Sequence, residues 1–476
     1  MLTHNACDIL LSNLQINSEA ASQMTHSDLQ LRREIKGDPI KMPYYLKYGD
    51  REFNVNLPDE QIKLVLEPNP VKLPAGTPRE LIEEALDNPV GTDRIENIVK
   101  PGEKVCIIIS DSTRSWQNPG MILGVLLDRL GMAGIRDEDI VIISARGTHR
   151  AQTDAELCTL VGNKIYDRIK VVDHNCTDED NLTYMGTTSR GTPVKLNSIA
   201  VNSDRVILIG AVLHHFLAGF SGGRKSVIPG IAARDTVQAN HSLSLNIGLG
   251  SGGNSLVRSG CLEENPLQLD MLEGALMLDP CFIINVVVDD NYRTLKAYAG
   301  DMVKAHAAAC RLVDEMNSVD IDRRYPVVIA SAGGYPKDMN VYQPMKTLCH
   351  MLECTEPGGV MIMLSESREG FGSPETEKQI TGYDNMLDRE KALRERYSIG
   401  AHTGYLYADT AEKFTFIYVT ELEASNFAKT KMHIVRTLDE ALELASKLCG
   451  GQLEGDVLLM PNGSVTLPRI TNTALR

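Results

Sequence analysis

The run Asp204-Arg205-Val206-Ile207-Leu208-Ile209-Gly210-Ala211-Val212 ends in seven residues without a polar side chain, and His214, His215 and a glycine-rich turn follow it. Apolar runs of the same kind recur at Lys104–Ser110, Ile140–Ala145, Ile169–Asp173 and Phe282–Val288. A second series stands at Pro326–Ser331, Gly359–Leu364, Phe414–Thr420, Met432–Val435 and Asp456–Met460. Continuous apolar strands separated by helix-sized segments predict parallel sheets covered on both faces. The expected fold is therefore α/β: two α/β domains with mainly parallel sheets and the active site in the cleft between them.

At 476 residues the chain exceeds one ordinary core, which also favours two domains. Residues 1–40 are polar and weakly patterned and read as an N-terminal extension. Residues 41–317 form the expected first domain, to which 455–476 are expected to return, and 318–454 form the second. The boundary is placed at Ser318–Tyr325, where a helical stretch through Asn317 gives way to a charged turn and a new strand.

Composition narrows the function classes. Hydrophobic residues at 43% and charged residues at 23% describe a globular chain. There is no stretch of roughly 18 apolar residues for a membrane span, and no basic-then-apolar leader, so a cytoplasmic protein without a membrane partner is expected. A net charge of −15 opposes a general affinity for nucleic acid while allowing a local basic pocket. The ten cysteines include no C-x-x-C pair and read as buried free thiols.

Polar residues suited to chemistry fall in five groups, most of them soon after strands. Asp111-Ser112-Thr113-Arg114 follows the first strand; its guanidinium fork suits a carboxylate or phosphate, and the plain alternative is a helix cap with an exposed arginine. Arg146-Gly147-Thr148-His149 places an imidazole just past a strand, ready to exchange a proton, or else leaves a surface histidine. The segment from His214 to Lys225 contains Ser221-Gly222-Gly223-Arg224-Lys225. Its backbone N–H groups and two cations suit an anion, and Lys225 could instead be a nucleophile. Adjacent histidines on extended backbone face opposite ways, so one of His214 and His215 is expected in the cleft. His241 alone reads as an ordinary helical histidine, or as one ligand to a late first-row metal. In Gly333–Lys346, Tyr342 and Lys346 are expected on one helical face at i,i+4, with Gln343 and Lys346 at i,i+3.

These groups offer imidazoles and cations but few carboxylate bases. Glycoside hydrolysis lacks its carboxylate pair, serine hydrolysis its G-x-S-x-G elbow, and Arg224 breaks the Walker A pattern. Gly248–Gly253 is glycine-rich but lacks the βαβ setting of a dinucleotide fingerprint. The residues alone lead to an α/β enzyme acting on a small anion.

Residues 45 to about 460 resemble the lactate racemase family, whose members use a nickel-pincer nucleotide. The motifs are Asp-x-Thr-Arg from Asp111, Gly-Thr-His-Arg from Gly147, His-Phe-x-Ala-Gly-Phe-Ser-Gly-Gly-x-Lys from His215 and Tyr-Gln-x-x-Lys from Tyr342. The resemblance implies an isomerase that inverts C2 of a 2-hydroxy acid by proton-coupled hydride transfer through a 2-keto acid. It implies a pyridinium-3,5-bisthiocarboxylic acid mononucleotide carrying nickel, joined to Lys225 through a thioamide, with His241 completing the nickel coordination. His149 and His215 correspond to the acid/base pair, and Arg114 and Lys346 to cations that orient the substrate. Asp111, Thr113, Ser221, Gly222, Gly223, Tyr342 and Gln343 correspond to positions that hold nucleotide or substrate.

The resemblance has departures. No proline follows Arg114, and near Gly404-Tyr405-Leu406 the expected tryptophan above the metal is missing, with Tyr405 as its stand-in. These leave open which acid is used: lactate, malate, an aromatic acid or a sugar acid. Expected partners are that acid and the cofactor-biosynthesis enzymes, with room for a homo-oligomer. The competing readings are a non-catalytic carrier of the nickel nucleotide or a sugar acid, and a Schiff-base enzyme working through Lys225.

Overall fold

The structure, a computed structural model, describes residues 44–451, 453 and 455–471; the expected extension at 1–40 lies outside them. Twelve strands build two six-stranded sheets. In chain order they are β1 (Ile62–Val65), β2 (Val105–Ser110), β3 (Ile140–Ala145), β4 (Lys170–Asp173), β5 (Arg205–Val212) and β6 (Phe282–Val288). There follow β7 (Thr294–Gly300), β8 (Tyr325–Ser331), β9 (Thr355–Leu364), β10 (Thr415–Val419), β11 (His433–Val435) and β12 (Val457–Met460). The first sheet has the order β7-β6-β5-β2-β3-β4 and the second β11-β10-β9-β8-β12-β1. All pairings are parallel except the edge pair β6–β7.

The apolar runs explain the burial. In β2, Val105, Ile107 and Ile109 enter one core layer while Cys106 and Ile108 enter the layer on the opposite face. Period-two alternation with both sets apolar is what a sheet covered on both sides requires. A separate core gathers Val328 and Ala330 of β8, Met361 and Met363 of β9, and Leu458 and Met460 of β12.

The sheets correct two expectations. The described residues of the 455–476 stretch do not return to the first sheet: Val457–Met460 lies between β8 and β1 in the second, and Leu467–Ile470 pairs with Ser318–Ile321. Residues 62–65, expected in the first domain, also add a strand to the second sheet. Neither short strand carries a local mark of its sheet; pairing, which is non-local, decides the matter.

In each sheet the strand order reverses once, between β2 and β5 in the first and between β8 and β12 in the second. Such a reversal opens a crevice beyond the carboxyl ends of the strands, where open α/β sheets bind ligands. Asp111 follows β2, His214 follows β5 and Gly333 follows β8. The lobes also touch directly: the Gly250 and Gly252 N–H groups donate to the buried Glu390 carboxylate, and Ser244 and Tyr397 share a hydroxyl hydrogen bond of 2.8 Å.

Candidate active site

After β2 the chain enters a short 3-10 helix, Ser112–Gln117, with Asp111 at its cap. The Asp111 side chain does not cap it. The carboxylate, only 2% exposed, instead accepts from His149 Nδ1 at 2.6 Å and from the Thr113 hydroxyl at 2.6 Å, with Arg114 at 3.4 Å. Burial works to raise the Asp111 pKa, but the hydrogen bonds from His149 and Thr113 and the charges of His149 and Arg114 outweigh it and leave it lowered. Trp116 is packing: it stacks on Tyr292 with ring centroids 4.9 Å apart, beside a surface cavity of about 390 Å³. A larger cavity of about 680 Å³ opens beside Lys104 and Asp139, before β2 and β3, and holds none of the candidate residues.

The loop after β5 folds back on itself, pairing His214 with Phe220 and His215 with Gly219. The two histidines part as extended backbone requires. His214 turns to Asp314 at 2.9 Å, whereas His215 Nδ1 accepts from the N–H groups of Leu217 (3.1 Å) and Ala218 (3.2 Å). The glycines fit a close approach. A Cβ on Gly222 (φ +72°) would lie 2.3 Å from Asn285 Oδ1, and one on Gly223 (φ +55°) 2.7 Å from His306 Cδ2.

The loop's N–H groups are less open than expected. Ser221 N–H donates to Leu213, Gly223 N–H to Asn285 and Lys225 N–H to Gly222. The Ser221 hydroxyl donates to the Ala211 carbonyl and accepts from Leu213 N–H, so it closes the loop rather than facing a ligand. Arg224 is directed behind the loop, bonded through Nη1 to buried His306 at 2.9 Å.

Lys225 is half-buried, and its side chain has no hydrogen-bond or acidic partner among the described residues. Burial, then the positive charges of Arg114, Arg224 and Lys346, hold its amine far below the ordinary lysine range. The same surroundings push His215 well down: burial first, then Lys225, Lys346, Arg114 and His241. His241, near the end of α1 (Arg234–Ser242), is 2% exposed, its Nδ1 unpaired, and burial and the Lys225 charge lower it to about 3. These mutual effects place Arg114, His215, Lys225, His241 and Lys346 in one cluster fed by both lobes.

Gly333–Lys346 follows β8, but the helical face expected for Tyr342, Gln343 and Lys346 is not formed. The helix, α2 (Met345–Cys354), has Pro344 as its cap, so Tyr342 and Gln343 precede it. A proline ring would clash with the preceding turn of a helix, which is why the helix starts only here. Lys346, in its first turn, is lowered by burial and by the charges of Arg114 and Lys337. Burial raises half-buried Tyr342 while Arg114 opposes the rise; Gln343 is exposed.

Tyr405 does not stand at the site: its hydroxyl lies 3.5 Å from Glu390 and its ring packs with Leu245, Leu393, Tyr397 and Ala401. The same helix, α3 (Ile399–Lys413), instead brings His402 against Phe216 and Tyr397. A lone helical histidine carries no sequence signal for this, and His402 was not foreseen.

Family models described as the lactate racemase N-terminal and C-terminal domains match residues 48–251 and 321–467. A lactate racemase from Lactiplantibacillus plantarum is 34% identical over 381 residues, covering 77% of this chain and 86% of that protein. One from Thermoanaerobacterium thermosaccharolyticum is 33% identical over 328 residues, covering 69% and 75%. The structure of the lactate racemase apoprotein from the latter organism covers 90% of this chain and 100% of its own, with a TM-score of 0.80 at 29% identity. A Thermotoga maritima protein, 18% identical with a TM-score of 0.55, shares the fold alone and covers 84% of this chain. Matched in both domains and along most of the length of these relatives, the chain belongs to the lactate racemase family and is an isomerase of the racemase kind.

Proposed function

We propose that this chain inverts C2 of a small 2-hydroxy acid, using a nickel-pincer nucleotide attached to Lys225 with His241 as the protein's ligand to nickel. The observation that carries the reading is a Lys225 amine without a side-chain partner and a deeply buried His241 imidazole, both pushed down by burial, beside His215 and the cations Arg114 and Lys346. The residues fit the group. A neutral amine can form the thioamide, and a neutral imidazole is the form that ligates a metal. Among the described residues no three His, Cys, Asp or Glu side chains converge as a metal cage, so a metal on His241 takes its other donors from a bound group.

When bound, the nucleotide supplies the acceptor and then the donor of the C2 hydride. Arg114 and Lys346 hold the substrate carboxylate and keep the 2-keto acid in place between the two transfers. His149 donates Nδ1–H to Asp111, which leaves Nε2 free to take the hydroxyl proton, and the carboxylate stabilises the imidazolium so formed. His215 is set oppositely. Its Nδ1 accepts two backbone bonds, so its proton sits on Nε2 and points an N–H at the substrate oxygen. Taking a proton from the other enantiomer requires His215 to release Leu217 and Ala218. The two histidines thus rest as one base and one donor. Thr113, Gly222, Gly223, Tyr342 and Gln343 line the nucleotide or substrate side in this reading, with Ser221 shaping the loop.

The described cysteines are unpaired, and no described helix is long and apolar enough to cross a membrane. Both observations support a cytoplasmic setting for the enzyme, which depends on separate enzymes for its nucleotide. The test is intact-protein mass with nickel analysis on chain co-produced with those enzymes. The expected result is a nickel-containing adduct that disappears in Lys225→Ala, with inversion of a 2-hydroxy acid. A bare polypeptide mass without retained nickel overturns the reading.

A further inference from the structure

His402 belongs to the second lobe and is 7% exposed, yet neither ring nitrogen has a hydrogen-bond partner among the described residues, and Nδ1 is fully sealed. Its surroundings lead straight to the reaction site. The ring stacks on Phe216 (centroids 6.3 Å apart, planes at 26°), and Phe216 stacks on His215 (4.9 Å, 14°). On its other side it packs against Tyr397 at 5.7 Å, and Tyr397 meets His241 edge-on at 6.0 Å. The imidazole is therefore linked by one ring to the proton-handling histidine and by another to the proposed metal ligand.

Nδ1 is sealed, so Nε2 is the nitrogen that a ligand can reach, and it too has no partner among the described residues. Burial alone lowers His402 to about 4, so it stays neutral at physiological pH, and Nε2 serves as donor or acceptor according to the tautomer. A second carboxylate would call for a cation here, and an alkyl group would leave the ring unpaired. A hydroxyl, itself both donor and acceptor, matches it. Resting on the 2-hydroxy acid reading above, we propose that His402 is a specificity-determining residue that receives a hydroxyl on C3 or beyond, so that the preferred substrates are polyhydroxylated 2-hydroxy acids rather than acids with a plain alkyl side chain.

The first test uses the full chain with 15N-labelled histidine, without nucleotide, titrated with glycerate, lactate and malate at millimolar concentration. Glycerate should move the His402 ring signals, which are assigned by their loss in His402→Phe, and lactate should not. Equal responses to glycerate and lactate, no response to glycerate, or a larger response to malate overturns the proposal. The second test uses nickel-loaded enzyme and compares kcat/KM for inversion of glycerate and lactate. Wild type should favour glycerate at least tenfold. His402→Phe should shift that ratio at least tenfold towards lactate, and His402→Gln should restore part of it. Nickel-loaded enzyme that inverts lactate in preference to glycerate sinks the specificity proposal and leaves the racemase reading standing. Absence of both adduct and inversion instead sinks the racemase reading, and the ring signals then decide the fate of the His402 proposal on their own.

Discussion

Replacing Asp111 with asparagine removes one charge from a cavity wall and little else. In the native chain the carboxylate lies 2.6 Å from His149 Nδ1 and is almost wholly buried. When His149 takes a proton, an ion pair replaces a neutral hydrogen bond. At an effective dielectric of about 20, unit charges some 4 Å apart attract by about 4 kcal/mol, and a charge-assisted hydrogen bond is worth about 1.5–3 kcal/mol. Taking about 2–4 kcal/mol as lost from the transition state, Asp111→Asn should lower kcat by about 30- to 900-fold. An asparagine amide turned to donate would also leave His149 with the wrong nitrogen protonated, which pushes the effect to the upper end. The assay is chiral chromatography of the inverted acid, with intact mass and nickel content measured on the same sample. Full loading with a rate within threefold of wild type would refute the claim that Asp111 orients and stabilises His149.

Three further outcomes follow from the same chemistry. Burial holds His174 and His402 at about 4 and His241, His306 and His350 at about 3. Their folded values lie below the unfolded one near 6.5, so the stability they confer is complete above pH ~6.5 and falls away as pH drops, by about 2 kcal/mol per imidazole at pH 5. Urea midpoints of the nucleotide-free chain should be flat between pH 7 and 8 and collapse by pH 5; equal midpoints at pH 7 and 5 would contradict this. In the same nucleotide-free chain, the lowered amine of Lys225 should acylate faster at pH 7 than exposed lysines such as Lys431, as read by peptide mass, and parity between them counts against a neutral Lys225. Glu390→Gln removes the carboxylate that takes the Gly250 and Gly252 N–H groups and should destabilise the chain by about 1–3 kcal/mol in a denaturant titration.

The strands were legible because Val, Ile and Leu runs are locally decisive, and those from Lys104–Ser110 to Asp456–Met460 appear as expected. Partner choice was not legible. Val457–Met460 carries no mark that it belongs beside Tyr325–Ser331, and Ile62–Val65 is too short and too exposed to stand out. At the site, the opposed facing of His214 and His215 followed from extended backbone alone. The fate of Tyr342 and Gln343 turned on Pro344, which the sequence displays but which permits a helix on either side of the residue. The loop's N–H groups were misjudged because Asn285 and Leu213, distant or already in the strand, occupy them. His402 was illegible for a stronger reason: its meaning lies in having Phe216 and Tyr397 as neighbours and no polar partner at all.

The distribution of charge around the cluster argues for what completes it. Burial pushes Lys225, His215, His241 and His402 down from their ordinary ranges. Of the charged groups, Asp111 is tied to His149, Thr113 and Arg114, while Lys346 faces Arg114 with no acid between them. Arg114 and Lys346 thus act on one another as like charges, and Asp111 is the carboxylate that stands beside Arg114. That arrangement is unfavourable in the empty chain and is relieved by a single carboxylate placed between Arg114 and Lys346. A neutral ligand leaves the repulsion in place. On the proposed reading, Arg114 and Lys346 take the substrate carboxylate and the unpaired imidazole of His402 takes a hydroxyl on the remainder of that molecule. Either substitution, Lys346→Met or His402→Phe, should then alter a different part of substrate recognition: the first the affinity for every acid tested, the second the ranking among them.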